Sequence, residues 1–338
     1  ADLARQHLVF IQRKLLRMII VPEKEIAGLL NRAESFAAVE KVFAAMARGD
    51  AYNFPVIREN IGHSDAIYGF NSGFYRKGLA LGLKSGGYWP GNDAKGLTNH
   101  QSTVILFDAD TGKAKALIGG NLLTAFRTAA ASSISIKYLA PKGAKVLGMI
   151  GAGHQSAFQM RAAADQIKFE RVIGWNFHPE MLERLEKTAG EIGLPFEVVE
   201  LERLGAEADV IISITSSFAP ILMDAHVTGG THIACMGTDT KGKQEVEAAL
   251  VARATVVTDE VKQAVSLGEC QHAVAAGTLS EGDIIQIGAI INGDHPGRTS
   301  DDELTLFDGT GVGLQDLAVA SAVVELAVAK GVAIEVDF

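Results

Sequence analysis

Three glycines in the run Gly148-Met149-Ile150-Gly151-Ala152-Gly153, with Ser156 three residues on, have the spacing of a loop that grips a pyrophosphate. Val146 to Ile150 reads as a short buried strand and Gln155 to Gln166 as a helix, so the loop closes one and opens the other. Glycine permits the tight turn and the close backbone approach, and the helix start presents N–H groups and its dipole to the phosphates. Gly151, Ala152, Gly153 and Gln155 are therefore candidate cofactor-binding residues, with His154 a candidate contact to the pyrophosphate. A plain strand-to-helix turn is the alternative, and the strand-helix-strand context argues against it. About twenty residues further on, such a site usually carries an acid that holds the ribose hydroxyls. Here Trp175-Asn176-Phe177-His178 stands instead. Asn176 can still hydrogen-bond a ribose hydroxyl, and no arginine is present to hold a 2′-phosphate, so NAD (as NADH) is expected over NADP.

A second candidate is Asp239, in Gly237-Thr238-Asp239-Thr240-Lys241-Gly242 just beyond the apolar run Ile233 to Met236. A carboxyl at the C-terminal end of a parallel strand points into the crevice where ligands bind and could do acid–base work. An N-cap or Asx-turn role suits an aspartate equally well. Gly268-Glu269-Cys270-Gln271-His272 hints at a metal, but two close ligands fall short of the three or four that zinc needs, so no metal site is expected.

These residues need a scaffold. From Met18 to about Ala47, apolar and acidic residues mix at helical spacing, which predicts one or two helices. Ala66 to Phe70, Leu79 to Leu83 and Ser102 to Phe107, separated by turn residues, read as antiparallel strands, and Ala125 to Leu139 as a buried helix before Pro141. Beyond it, strands Arg171 to Trp175, Val210 to Ile214, Thr231 to Met236 and Thr255 to Val257 alternate with helices such as Pro179 to Ile192. That is an α/β pattern: a Rossmann-type doubly wound domain over 140–313. Leu314 to Ala329 reads as an apolar helix returning to the first domain, which makes 18–139 and 314–338 one discontinuous α+β domain. Residues 1–17 carry Arg5, Arg13, Lys14 and Arg17 among apolar residues ahead of Met18. They are read as an added extension, with a basic amphipathic membrane anchor as the sharper alternative.

With 338 residues, 48% of them hydrophobic and 21% charged, a sizeable core is possible and disorder is not expected. The net charge of -9 opposes broad attraction to nucleic acid or an anionic membrane, so a small-molecule partner is expected and any anionic substrate needs a local cationic cluster. Two cysteines, Cys235 and Cys270, fit a reducing compartment, and the cytoplasm is the expected location.

Read together, Gly82-Leu83-Lys84, Thr124-Ala125-Phe126-Arg127-Thr128-Ala129-Ala130, Gly151-Ala152-Gly153-His154-Gln155, Asp209 with Thr215-Ser216-Ser217, Gly237-Thr238-Asp239, Gly268-Glu269 and Asp308-Gly309-Thr310-Gly311 resemble the ornithine cyclodeaminase and mu-crystallin superfamily of ketimine reductases, from Met18 over nearly the whole chain. Pro55-Val56-Ile57-Arg58, Gly86-Gly87-Tyr88-Trp89-Pro90 and Asn99-His100-Gln101-Ser102 suggest its iminosuccinate-reducing branch, which makes aspartate with NADH. The resemblance implies an enzyme reducing a small imino acid and a homodimer formed through the first domain. An α-imino acid needs a cationic clamp on its carboxylate and a proton donor for its nitrogen. The resemblance assigns the clamp to Arg58, Lys84 and Arg127 and the acid–base role to Asp239, and makes Thr128, Thr215, Ser216, Met236 and Gly237 cofactor-binding. Lys84, in an apolar setting, is also a candidate catalytic group, because a buried ammonium wants an anion. His100 is a candidate for a second carboxylate. Two alternatives stay open: a cyclodeaminase, in which bound NAD cycles and ammonia is lost, and a small-molecule binder of mu-crystallin type without turnover.

Overall fold

The computed structural model describes residues 17–338, so the reading of residues 1–16 as an extension lies outside the described residues. These residues fall into two compact units. The first holds the described residues up to Ala38, with Gly49–Thr124 and Gly313–Phe338; the second holds Val39–Arg48 and Ala125–Val312.

The described residues open with a strand, β1 (Arg17–Val21), where helix was expected. Its Ile-Ile-Val run suits a pleated half-buried surface, and it pairs in parallel with β7 (Ala114–Gly119) once that strand is in place. Helices α1 (Glu23–Leu29) and α2 (Arg32–Ala47) follow. Between them and β7 lie β2 (Ala51–Asn53), β3 (Ile57–Asn60), β4 (Ile67–Tyr75), β5 (Ala80–Tyr88) and β6 (His100–Phe107). β4 to β7 form the expected antiparallel meander, with β2 and β3 both on β4.

Helix α3 (Asn121–Leu139) starts earlier than the sequence suggests. Glu23, from α1, accepts the N–H groups of Asn121 (3.1 Å) and Leu122 (2.7 Å), so a distant carboxylate meets two donors a helix start leaves orphaned. The expected domain boundary at 139/140 also moves, to 124/125. The later turns of α3 are tied to the second unit: Ser132 Oγ donates to Gln159 Oε1, Ser135 Oγ bonds His232 Nε2 (3.0 Å), and Arg298 Nε donates to the Leu139 carbonyl (2.6 Å). Burial holds His232 neutral, its pKa pushed down to about 3.

The second unit contains β8 (Val146–Ile150), α4 (Ser156–Ala164), β9 (Arg171–Trp175), α5 (Glu183–Glu191), β10 (Phe196–Val198), α6 (Leu201–Glu207) and β11 (Val210–Ser213). It continues through β12 (Phe218–Leu222), β13 (His232–Cys235), β14 (Gln244–Val246), α7 (Ala248–Arg253), β15 (Thr255–Thr258), α8 (Val261–Leu267), α9 (Gln271–Ala275), β16 (Ile285–Gln286), α10 (Ile287–Asn292) and β17 (Thr305–Asp308). Among the described residues its main sheet is wholly parallel, in the order β10-β9-β8-β11-β13-β17-β15-β16. The sheet is doubly wound about β8, and Ile150, Ile173, Ile211, Ile233, Val256 and Leu306 are buried in its core. The order reverses between β8 and β11, the place where such sheets open a ligand crevice at the carboxyl ends of their strands.

The chain then re-enters the first unit with α11 (Gly313–Lys330) and β18 (Ile334–Asp337), the latter antiparallel to β1. α11 lies directly on the meander: a side chain at Gly82 would press on Leu317 (3.0 Å), and one at Gly73 on Leu314 (3.1 Å). Among the described residues no helix is long and apolar enough to cross a membrane.

Candidate active site

The glycine loop sits at the switch point of the second unit. Gly151 has φ +102°, and a Cβ there would come 2.5 Å from the Ile214 carbonyl at the end of β11, so both the backbone and the neighbouring strand demand glycine. Gly153 differs: a Cβ there would meet no protein atom within 4 Å, leaving open space beside the backbone at the head of α4. Gly148 belongs to neither category, since its bare Cα accommodates Ala208 and Leu204. The Gln155 side-chain oxygen is buried without a hydrogen-bond partner next to this loop. Open backbone at a helix start suits a dinucleotide pyrophosphate, whereas the orphaned Gln155 oxygen, an acceptor, suits a donor such as a ribose hydroxyl.

Asn176 does local work as well. Its Oδ1 accepts the Ala152 N–H (3.0 Å) and its Nδ2 donates to the His178 carbonyl (2.8 Å), so it braces the loop. Thr128 lies on α3 beside α4, where Phe126 packs edge-on against Phe158 and Phe158 meets the His154 ring.

Beneath the ends of β11 and β13 lies a set of buried carboxyls whose roles the sequence did not reveal. Glu245 accepts from Ser213 Oγ (2.7 Å) and from the N–H groups of Thr215 (2.6 Å) and Gly237 (2.8 Å). One side chain thus joins the two loops that carry Thr215, Ser216, Met236 and Gly237. Glu269 holds Glu245 in turn, accepting the N–H groups of Glu245 and Val246 (each 2.9 Å) and the Thr238 hydroxyl (2.5 Å). Burial, then the charge of Glu245, pushes Glu269 up to about 8; burial raises Asp308, which accepts the Cys270 N–H, to about 7. The sequence signal was Gly268-Glu269 itself; Glu245 carried none.

This network has a consequence for stability. Glu269 and Asp308 have folded values above their unfolded ones, so the native state binds the extra protons. Their stabilisation is fully present below about pH 4 and is lost as pH rises through about 7 to 8. Glu269→Gln is expected to flatten the fall of Tm between about pH 5 and 8. Melting curves across that range check this; an unchanged slope would show that Glu269 does not titrate there.

Asp239 follows β13, as expected, but with a partner the sequence reading did not consider. Lys243 Nζ donates to Asp239 Oδ1 (2.8 Å) and to the Gly237 carbonyl (3.2 Å). Gln271 and His272 fix this loop from α9, Gln271 Oε1 accepting the Gly242 N–H (2.8 Å) and His272 Nε2 lying 2.9 Å from the Lys243 carbonyl oxygen.

The candidate clamp residues divide by unit. Arg127 is on the second-unit part of α3, nearly buried, and a Cβ at Gly311 would come 3.1 Å from its Nη1, so the bare glycine leaves room for the guanidinium. Asp259 fixes that turn by accepting the N–H groups of Thr310 (3.1 Å) and Gly311 (3.0 Å).

In the first unit, strand register supplies the grouping. Arg58 is opposite Gly69, Lys84 is opposite Asn71 and Val104, and His100 is opposite Tyr88. Side chains alternate along strands, so Arg58, Lys84 and His100 share one face of the sheet. Arg58 and His100 are exposed and Lys84 is buried. The anion that a buried Lys84 calls for is internal: Asp316 of α11, 3.2 Å away and fully buried. An aspartate in the first turn of a largely apolar helix was the signal for it.

Fold and site together define a dinucleotide-dependent α/β enzyme scaffold. The chain matches the profile of the ornithine cyclodeaminase/mu-crystallin family over residues 18–331, and it belongs to that family. It is 70% identical to the iminosuccinate reductase of Paracoccus denitrificans over 320 residues, 95% of this chain and 100% of that protein. The crystal structure of that enzyme in complex with NAD+ superposes with a TM-score of 0.91 at 69% identity, covering 95% of this chain and 100% of that one. An archaeal alanine dehydrogenase dimer with bound NAD matches with a TM-score of 0.89 at 31% identity, covering 95% and 99%.

Proposed function

We propose that this protein is an NADH-dependent imine reductase that converts iminosuccinate to L-aspartate in the cytoplasm. The observation that carries the reading is the 70% identity to an iminosuccinate reductase across nearly the whole of both chains. Chemically, the first unit offers two exposed cationic or protonatable side chains, Arg58 and His100, on the same sheet face as Lys84, which suits a dicarboxylate better than a substrate with one acid group. In this reading Arg58, Lys84 and Arg127 take the carboxylate next to the imine carbon, His100 takes the second, and Asp239 handles the proton of the imine nitrogen. Gly151, Ala152, Gly153, His154 and Gln155 hold the pyrophosphate, and Thr128, Asn176, Thr215, Ser216, Met236 and Gly237 line the rest of the dinucleotide site. When bound, the reduced nicotinamide supplies the hydride.

The test is an NADH oxidation assay over freshly generated imino acids, including iminosuccinate, iminopropionate and cyclic ketimines. Stoichiometric NADH loss with iminosuccinate, without ammonia release, is expected. Ammonia release from an amino acid substrate without net NADH consumption would instead indicate a cyclodeaminase, and NADH binding without turnover a binder.

Because Asn176 stands where the ribose is read and no arginine flanks it, kcat/KM is expected to be higher with NADH than with NADPH. Steady-state kinetics with both cofactors decide this, and preference for NADPH would overturn that role for Asn176. The active form is a homodimer in this reading, supported by the archaeal dimer and by exposed Tyr52, Ile57, Tyr68 and Tyr88 on β2 to β5. Light scattering at micromolar concentration is expected to return twice the chain mass; a monomeric mass would refute the assembly.

A further inference from the structure

Lys243 lies outside the segments quoted above for the family resemblance, yet it touches the proposed acid–base group. Its ammonium is 2.8 Å from Asp239 Oδ1 and 3.2 Å from the Gly237 carbonyl, on a side chain largely withdrawn from water. β14 starts with the next residue, Gln244, so Lys243 and Glu245 bracket it two apart. Glu245 holds the N–H of Gly237 (2.8 Å) while Lys243 holds its carbonyl, so this short segment grips Gly237 from both sides of the backbone. Gly237 is packed closely against the end of β11, since a Cβ there would lie 2.2 Å from the Thr215 carbonyl oxygen. Lys243 is therefore fixed against the root of the Asp239 loop. Other titratable groups of this unit bonded to the loop include Glu245, Glu269 through the Thr238 hydroxyl, and His272 through the Lys243 carbonyl; Lys241 lies on the loop itself.

We propose that Lys243 is a positioning residue that keeps Asp239 an ionised carboxylate aimed at the substrate nitrogen, so that the enzyme takes the imine in its protonated, iminium form. This rests on the reading of Asp239 as the group that meets the imine nitrogen, and it replaces the expected proton donation by charge pairing. An ammonium hydrogen-bonded to one carboxylate oxygen favours the charged form over the acid. A carboxylate cannot give a proton it does not carry, but it can hold a cationic nitrogen. The step balances on that basis. The iminium carbon accepts hydride and forms a C–H bond, the electron pair of the C=N bond passes to nitrogen, and the resulting neutral amine takes a proton from water. Asp239 ends ionised, as it began. In the reverse direction the same carboxylate receives the amine.

Lys243→Met, Lys243→Arg and Asp239→Asn are compared with the native enzyme, by NADH oxidation with iminosuccinate from pH 5.5 to 9 and by fluorescence titration of NADH. If Lys243 keeps Asp239 charged, the acid limb of the kcat profile moves to higher pH in Lys243→Met. Turnover just below that limb then drops by up to about tenfold and recovers at higher pH, for a shift of roughly one pH unit. NADH affinity stays within about threefold, and Lys243→Arg restores most of the native profile. Lys243→Met with an unchanged profile, or one faster than the native enzyme at neutral pH as a needed carboxylic acid would make it, overturns the proposal. A uniform loss at every pH, not rescued by arginine, also overturns it, by reducing Lys243 to a loop tie. If Asp239→Asn itself keeps native turnover, it is the acid–base reading that falls.

Discussion

Arg127→Met is expected to lower kcat/KM for iminosuccinate by the equivalent of about 2 to 5 kcal/mol, the cost typical of leaving a buried charge without its partner. The guanidinium is nearly buried, set against Gly311 in a turn that Asp259 fixes, so it is preorganised before any ligand arrives. Arg127→Lys keeps the charge but loses the planar fork that meets a carboxylate at two points, so it too reduces turnover, by less. The sequence placed Arg127 in the domain without the glycine loop, whereas the structure groups it with that loop. Retention of NADH affinity is still expected, because the contacts that shape the loop are to Asn176, Trp175 and Ile214. Fluorescence titration and a melting curve on each variant separate these cases. Normal reduction of iminosuccinate by Arg127→Met, or loss of NADH binding as severe as the loss of activity, removes Arg127 from the clamp.

Asp239→Asn is expected to reduce turnover by about 10² to 10⁴, the range usual for a general acid–base group, with NADH affinity little changed. Asparagine keeps the shape and one oxygen that can accept from Lys243, so the loop held by Gln271 and His272 survives the change. The neutral amide can neither hold an iminium by charge nor exchange its proton. A variant with most of its activity would reduce Asp239 to the turn residue that its position also suits.

What was legible in the sequence was what neighbouring residues impose on one another. The glycine loop could be read because a positive φ at Gly151 and an open approach at Gly153 are requirements on single residues between a strand and a helix. The parallel strands could be read because burial on both faces makes them short apolar runs. Many of the expected strands and helices differ from the observed ones at their ends, where distant groups act, while β1 changes type and β17 was not expected. Glu23 moves the start of α3 by supplying acceptors, and β1 is a strand because β7 and β18 lie beside it. The site divides in the same way. Arg58, Lys84, Arg127 and Asp239 could be picked out by residue type within motifs, but their surroundings could not. Asp316 as the counterion of Lys84, and Glu245 and Glu269 as the joint under the cofactor loops, arise only when a helix or strand from elsewhere in the chain brings a carboxylate to a buried polar group. Lys243 stood four residues from Asp239 in plain view, a spacing that signals a pair on a helix. Here the segment is a loop, and only the path of that loop, fixed by Glu245 and α9, brings the ammonium to the carboxylate. Local steric rules are written into adjacent residues; which charges meet in a low-dielectric interior is decided by the packing of elements far apart in the chain.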